Sequence, residues 1–433
     1  MTDSKLVSQI ASEAKAASLI LAGLSTQTKN AALLEMASAL EANTSSILEA
    51  NHSDVVQAEK DNLAKPLLAR LALSGSKVAD MAKGIRSVAA LPDPVGQKLL
   101  SMEMDKGLTL FQVSCPIGVI GAIFESRPDA VPQISALCLK SGNAVVLKGG
   151  MEAQNSNKLI VSLLVQGIEK VSGVPSASVH MIETRSQVSE LLNEEDNIQL
   201  IVPRGSNEFV RYIQDNTKIP VLGHSEGICH VYIDENADPG MAIKIALDSK
   251  LQYPAACNAM ETLLIHEAVA PKVLPELTEK FSAENVELVG CIRTQALVPQ
   301  IKKADDSDWD TEYTDLKLSI KMVSSFEKAV SHINKHGSGH TDVIVTVGNT
   351  LAERFQNEVD SASVMVNAST RFADGFRFGL GAEIGISTNK THARGPVGLE
   401  GLVIYKYKIN GNGQTVSEYS GDGAREFTHK IIN

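Results

Sequence analysis

Cys257 sits in the run Tyr253-Pro254-Ala255-Ala256-Cys257-Asn258-Ala259-Met260-Glu261-Thr262, between a helical segment ending near Leu251 and the strand-like Thr262-Leu263-Leu264-Ile265. Pro254 stops the helix, because it has no N–H to donate and clashes with the preceding turn. The two alanines leave the sulfur approachable. A thiolate at such a junction is a nucleophile, and a packed structural thiol is the plain alternative. Three other stretches put charge or donors at the ends of apolar runs. Lys148, in Ala144-Val145-Val146-Leu147-Lys148-Gly149-Gly150, stands where a ribose or phosphate lies in a parallel α/β sheet. In Pro203-Arg204-Gly205-Ser206, the N–H groups of Gly205 and Ser206 would face a phosphate at a helix start. In Phe124-Glu125-Ser126-Arg127-Pro128, Arg127 can hold a phosphate or carboxylate at two points. A surface lysine and an ordinary helix cap are the bland readings of the first two.

Residues 367–401 are rich in glycine and charge and carry Arg371, Asp374, Arg377 and Arg394. Loops of that length are more often functional than connective, although a linking or subunit-contact loop has the same composition. His332, His336 and His340 recur every fourth residue, but Gly337 and Gly339 break the helix they would need and no thiol or carboxylate completes a set. No metal site is expected. There is no G-x-G-x-x-G after a strand, no phosphate-binding G-x-x-x-x-G-K-[ST], and no second histidine four residues after His266-Glu267.

These residues need a scaffold. Residues 4–91 read as helices, with Leu6, Ile10, Ala14, Ala17, Ile20 and Leu21 at helical spacing and with Ser25 and Thr44 as caps. Residues 98–113 alternate around Asp105-Lys106-Gly107, a hairpin pattern. From residue 116, short apolar strands alternate with helices, and the alternation restarts after Cys257. Strands apolar on both faces and separated by helices imply parallel sheets covered on both sides. A last strand is expected over 402–409.

The chain has 433 residues, and its net charge of −11 comes from 40 basic and 51 acidic side chains. At ~100–200 residues per domain, two or three domains are expected. The acidic balance excludes nucleic-acid binding as the main activity, because that needs a basic footprint. The five cysteines (115, 138, 229, 257, 291) are an odd number and widely spaced, which fits free thiols in a reducing compartment. No secretory pattern opens the sequence, and the longest apolar run, 116–124, is far short of the ~20 residues of a membrane helix. A cytoplasmic protein is expected.

Several of these stretches resemble the gamma-glutamyl phosphate reductases, a branch of the aldehyde dehydrogenase superfamily: residues 253–262, Val366 to Arg377, His392 to Leu402, and Gly339-His340-Thr341-Asp342. The resemblance implies an aldehyde dehydrogenase-like α/β fold. Its parts would be a Rossmann-like NADP domain over 1–96 and 114–228, a catalytic domain over 229–400, and a β ribbon for oligomerisation over 97–113 and 401–433. It implies NADPH-dependent reduction of L-glutamyl 5-phosphate to L-glutamate 5-semialdehyde with loss of phosphate, the second step from glutamate to proline. It implies that Cys257 forms a thioester, that Lys148 meets the adenosine ribose or its 2′-phosphate, that Gly205 and Ser206 face the pyrophosphate, and that Glu312 holds the nicotinamide ribose. Ser126 belongs to the same cofactor side. Arg127, Asn258, Arg371, Asp374, Arg377 and Arg394 are the substrate candidates. A homo-oligomer, and association with glutamate 5-kinase, are implied partners.

Two departures from the superfamily matter. Its water-activating glutamate is absent from Val221-Leu222-Gly223-His224, and its oxyanion asparagine is replaced within Ser126-Arg127-Pro128. Phosphate, rather than water, is therefore the expected partner of the acyl-enzyme. The Cys257 N–H is the expected first oxyanion donor, and the second stays open. The competing readings are a hydrolytic aldehyde dehydrogenase on a related semialdehyde and a non-catalytic partner of glutamate 5-kinase.

Overall fold

A computed structural model describes residues 6–224 and 226–432. Five helices open the chain: α1 (Val7–Leu21), α2 (Thr26–Ala42), α3 (Thr44–Lys60), α4 (Lys65–Leu71) and α5 (Gly75–Ala90). Their apolar stripes face inward, through Ala14 and Leu21 on α1 and Leu33, Met36 and Leu40 on α2. Leu6 and Ile20, expected on that face, are 70% and 52% exposed, and Val7 takes the inward place. Ser25 caps α2 by accepting the Thr28 N–H at 3.1 Å. Thr44 lies inside α3 instead of capping it, since Asn43 already occupies the cap position.

A hairpin follows, β1 (Lys98–Asp105) and β2 (Leu108–Pro116). The first parallel sheet comes next, with β3 (Val119–Phe124), α6 (Ala130–Lys140), β4 (Ala144–Lys148), α7 (Gln154–Glu169), β5 (Val179–Ile182), α8 (Arg185–Leu191), β6 (Leu200–Arg204) and α9 (Asn207–Asp215). Its order is β5-β4-β3-β6. Every residue of β3 and β4 is buried, as expected for strands covered on both faces.

The second parallel sheet is built from β7 (Cys229–Ile233), α10 (Pro239–Leu251), β8 (Met260–His266), α11 (Ala270–Ala283), β9 (Glu287–Gly290), α12 (Ile292–Leu297), β10 (Lys302–Lys303), β11 (Lys317–Val323), α13 (Phe326–His336), β12 (Thr341–Val345), α14 (Asn349–Glu358) and β13 (Ser363–Val366). Its order is β10-β9-β11-β8-β7-β12-β13. A small antiparallel pair, β14 (Gly385–Ser387) and β15 (Gly395–Val397), leads to β16 (Val403–Asn410) and β17 (Lys430–Ile431). The last two join the hairpin in the order β16-β2-β1-β17. Before reaching that ribbon the chain returns to the first unit, where Ile384, Val397, Leu399 and Leu402 pack in the core of the first sheet. No described helix is long and apolar enough to cross a membrane.

Candidate active site

The thiol turn is clamped at its base. Asp238 caps α10 by accepting the Met241 N–H at 2.7 Å, and Pro254 keeps the helix from running on past Leu251. Lys250, in the last turn of α10, meets Glu261 at the start of β8, Nζ to Oε2 at 2.6 Å, with both side chains fully buried. Glu261 also accepts the Thr314 N–H at 3.1 Å. Burial pushes the Glu261 carboxyl up, to about 7, while Lys250 opposes the rise. Inside the turn, Ala256 donates to the Tyr253 carbonyl at 3.2 Å and Ala259 to the Ala256 carbonyl at 2.9 Å. Asn258 donates from Nδ2 to the Ala373 carbonyl at 2.8 Å, which ties the 370–374 segment to the thiol turn. Its Oδ1 is buried with no partner among the described residues. Gly227 lies against the turn so closely that a Cβ there would stand 2.0 Å from the Cys257 carbonyl oxygen. Among the described residues no intramolecular acceptor takes the Cys257 N–H, which leaves that donor for an oxyanion.

Four side chains from four places bear on the sulfur, two histidines by short distance and two arginines through their charge. Arg204 ends β6, and its charged neighbours are Arg127, Glu383, Asp129 and Cys257. Burial, and then the nearby Arg127, bring its guanidinium down to about 10, and its Nη1 is buried without a partner among the described residues. Arg371 has Cys257 among its charged neighbours as well; burial, and then Arg377, lower it. Its Nε donates to Gln252 at 2.8 Å, and its guanidinium lies over the Tyr253 ring. The other two are His224 and His340, a ring nitrogen of each lying within 4.8 Å of the other and of the Cys257 sulfur.

Of the expected substrate residues, Arg127, Asn258, Arg371 and Arg377 are gathered about this turn. Asp374 accepts from the N–H groups of Phe376 and Arg377 at 3.0 and 3.1 Å, within its own loop. Glu383 reaches the same group; it accepts the Gly375 N–H at 2.8 Å, and burial raises its carboxyl. Arg394 pairs with Asp360 at 2.9 Å and lines a cavity of about 400 Å³ with Asn334, Ser338, Gly339, Ser361 and Thr388.

On the cofactor side, Lys148 is 8% exposed at the carboxyl end of β4, and burial lowers its ammonium. Its charged neighbours are Glu152, Arg185 and Glu125. Ser126 has φ +41°, a left-handed backbone held by the Glu152 carboxylate, which accepts from its N–H and its hydroxyl at 2.6 and 2.5 Å. The Ser126 donors are thus already engaged by Glu152. Ser206 precedes α9 and donates its N–H to Glu125 at 3.2 Å. Asn207 donates to Glu312 at 3.1 Å, so Glu312 of the second unit stands at the N-terminus of α9 in the first.

A model of the aldehyde dehydrogenase family matches residues 1–307. The gamma-glutamyl phosphate reductase of Pelotomaculum thermopropionicum is 53% identical over 427 residues, which cover 99% of this chain and 98% of that protein. That of Methanococcoides burtonii is 54% identical over 436 residues, covering 99% and 97%. The crystal structure of the Thermotoga maritima gamma-glutamyl phosphate reductase aligns with a TM-score of 0.93 at 40% identity, over 95% of this chain and all of that one. The chain belongs to the gamma-glutamyl phosphate reductases of the aldehyde dehydrogenase family. An acetylating aldehyde dehydrogenase from Geobacillus thermoglucosidasius, 17% identical with a TM-score of 0.65 over 94% of this chain and 97% of that one, shares the fold. The expected α/β architecture and enzyme class hold.

Membership in this family makes the residues that sequence reasoning passed over more telling. His224 carries no role in the sequence reading beyond lying in the stretch that lacks the glutamate, and His340 none beyond its place in a helical series and in the Gly339-His340-Thr341-Asp342 stretch. In the structure α13 ends at His336, and Gly339, at φ +71°, swings His340 away from the other two histidines and toward the thiol. Arg204 was read only for the donors that follow it, although a cation at the end of a strand of the first sheet was a signal that could have found it. Arg185, Gly227 and Glu383 carried no such signal, because their neighbours come from distant parts of the chain.

Proposed function

We propose that the chain reduces L-glutamyl 5-phosphate to L-glutamate 5-semialdehyde with release of phosphate, using NADPH, through a thioester on Cys257. The observation that carries the reading is a partly exposed thiol flanked by Arg204 and Arg371, in a chain that matches gamma-glutamyl phosphate reductases from end to end. Arg204 and Arg371 both count Cys257 among their charged neighbours. The thiolate attacks the acyl carbon, the C–S bond forms as the C–O bond to phosphate breaks, and the leaving dianion needs those cations. The unused Cys257 N–H is aimed to hold the oxyanion, and the buried, unpartnered Nη1 of Arg204 is the candidate for the second donor. Glu383 or Asp374 would receive the substrate ammonium, and Arg377 or Arg127 its α-carboxylate.

The family uses nicotinamide cofactors. The residues fit one that carries a 2′-phosphate: Lys148 with Arg185 beside it, the N–H groups ahead of α9, and Glu312 for a ribose. When bound, the nicotinamide supplies the hydride that turns the thioester into aldehyde and frees the thiol. The stretch Val221-Leu222-Gly223-His224 lacks the glutamate that oxidising superfamily members carry there, which supports phosphate over water as the acyl acceptor.

The ribbon β16-β2-β1-β17 leaves Leu99, Ile404, Tyr405, Tyr407 and Ile409 exposed, which supports its use in pairing copies of the chain. The deciding experiment is the reverse assay with semialdehyde, NADP and phosphate, each omitted in turn. Turnover should require all three. Cys257→Ala should lower it by more than about 10³-fold while cofactor binding persists. Turnover without phosphate would instead mark a hydrolytic enzyme.

A further inference from the structure

Two histidines, His224 and His340, stand beside Cys257. A ring nitrogen of His224, a ring nitrogen of His340 and the sulfur of Cys257 all lie within 4.8 Å of one another. The rings meet edge to face with centroids 4.9 Å apart. His224 is held from its far side, its Nδ1 lying 2.9 Å from the Ile386 carbonyl oxygen. That oxygen only accepts, so Nδ1 carries the hydrogen and Nε2 keeps a lone pair. His340 is 1% exposed. Its Nδ1 lies 2.8 Å from Thr341 Oγ1, and its Nε2 is buried with no hydrogen-bond partner among the described residues. A buried imidazole nitrogen without a partner is costly unless something occupies its lone pair.

We propose that His224, Cys257 and His340 form a binding site for a soft divalent cation of the zinc class, which reversibly silences the enzyme by taking its nucleophile. Zinc prefers this donor set, two neutral imidazoles and a thiolate. At bond lengths of about 2.0–2.1 Å to nitrogen and 2.3 Å to sulfur, a tetrahedron places its ligands about 3.3–3.6 Å apart. Modest side-chain rotations inside the 4.8 Å envelope achieve that. The fourth position would hold water. The hydrogen bonds at the far side of each ring are what metal-bound histidines show, since they set the tautomer and the ring angle. Thr341 would accept from His340 Nδ1 in the bound form. Binding breaks the S–H bond of Cys257, forms the S–Zn bond and releases one proton to the buffer, and no electron moves. The charges of Arg204 and Arg371 oppose a further cation here, and the three donor bonds to the metal offset them. The site does not depend on which acyl phosphate the enzyme takes.

The test uses the full-length, chelator-treated protein with Zn²⁺ in competition against a chromophoric chelator, and with Co²⁺ as a spectroscopic substitute. One ion per chain is expected, with a sulfur-to-cobalt charge-transfer band and with one proton released in two-buffer calorimetry. Zinc should also protect Cys257 from iodoacetamide. Cys257→Ser should abolish the band. His340→Ala and His224→Ala should each weaken zinc by at least about 10–100-fold. His340→Gln, closer in volume, serves with a thermal melt as the check where the alanine variant does not fold. Cys291→Ser, at another partly exposed thiol, should change nothing. Zinc affinity unchanged in both folded histidine variants, or a band that survives Cys257→Ser, would overturn the proposal and leave only adventitious thiol binding.

Discussion

The two parallel sheets meet the active site from opposite ends. The first presents the carboxyl ends of its strands: Lys148 closes β4, Ser126 follows β3 and Arg204 closes β6. The second presents amino ends: Cys257 precedes β8, His340 precedes β12, and Gly227 precedes β7. The strands differ accordingly. In the first sheet β3 is uniformly apolar, and β4 is apolar up to its terminal lysine. In the second, polar groups are buried near the amino ends, among them Glu261, Thr262, His230, Thr341 and Asp342. His230 donates its N–H to Asp342 at 2.9 Å, and its Nδ1 lies 2.9 Å from the same oxygen. An apolar sheet needs only its covering helices to be stable, and the carboxyl ends of its strands are then free to hold ligands. The amino ends of strands are held in place here by a buried polar network, which fixes the thiol turn at the cost of needing every partner present.

The largest test of that contrast removes one partner. Lys250→Met leaves Glu261 buried without its cation and should cost about 3–5 kcal/mol in chemical denaturation. A loss below about 1 kcal/mol would mean that the polar network does not order the thiol turn. Gly227→Ala comes next. A Cβ 2.0 Å from the Cys257 carbonyl oxygen forces the turn aside. A displacement of about 1 Å can cost 10²-fold in kcat, and cofactor binding, measured by fluorescence titration, should hold. Lys148→Ala addresses the first sheet alone. The lost charged contact, worth about 1.5–3 kcal/mol, should raise KM for NADPH about 10–100-fold and leave kcat near its original value. Arg185→Ala should move KM in the same direction. A fall in kcat instead would erase the division of labour between the sheets.

The smallest effect is on pH dependence. Burial alone would raise Asp93, but hydrogen bonds from Lys29, the Val95 N–H and Thr26, with the charge of Lys29, hold it below the ordinary carboxylate value. A carboxyl depressed in the folded state adds stability that is present above its unfolded pKa of about 3.9 and is lost as pH falls through the folded value. Asp93→Asn should lower Tm at neutral pH, where the carboxylate stabilises the fold, and converge on the parent protein below pH ~4, which flattens the acid limb of the Tm profile. A parallel shift at all pH values would show that Asp93 contributes by packing alone.

Much of the scaffold was legible because periodicity is local. The helix before the thiol turn, the strand after it and the hairpin at 98–113 each follow from spacing and turn residues within about ten positions. The sheet order is not local, and neither is the reversal of strand direction at the site. A lysine at a carboxyl end could be read as a ligand group because the first sheet obeys the usual rule for parallel sheets. His340 could not, since its meaning depends on Gly339 turning the chain and on β12 lying beside β7. Arg394 is another case. Its glycine-rich setting points to a ligand contact, while its ion pair with Asp360, 34 positions earlier, is not legible in the sequence.

The return of Ile384, Val397, Leu399 and Leu402 to the first core also bears on how the protein is made. A chain leaving the ribosome ordinarily completes its first domain while later ones are still being translated. Here the first sheet lacks part of its interior until residue 402 has emerged, after the second sheet has been translated. The first sheet therefore matures late although it is made first. A truncation at the apparent boundary near residue 228 would yield an open apolar face instead of a working module.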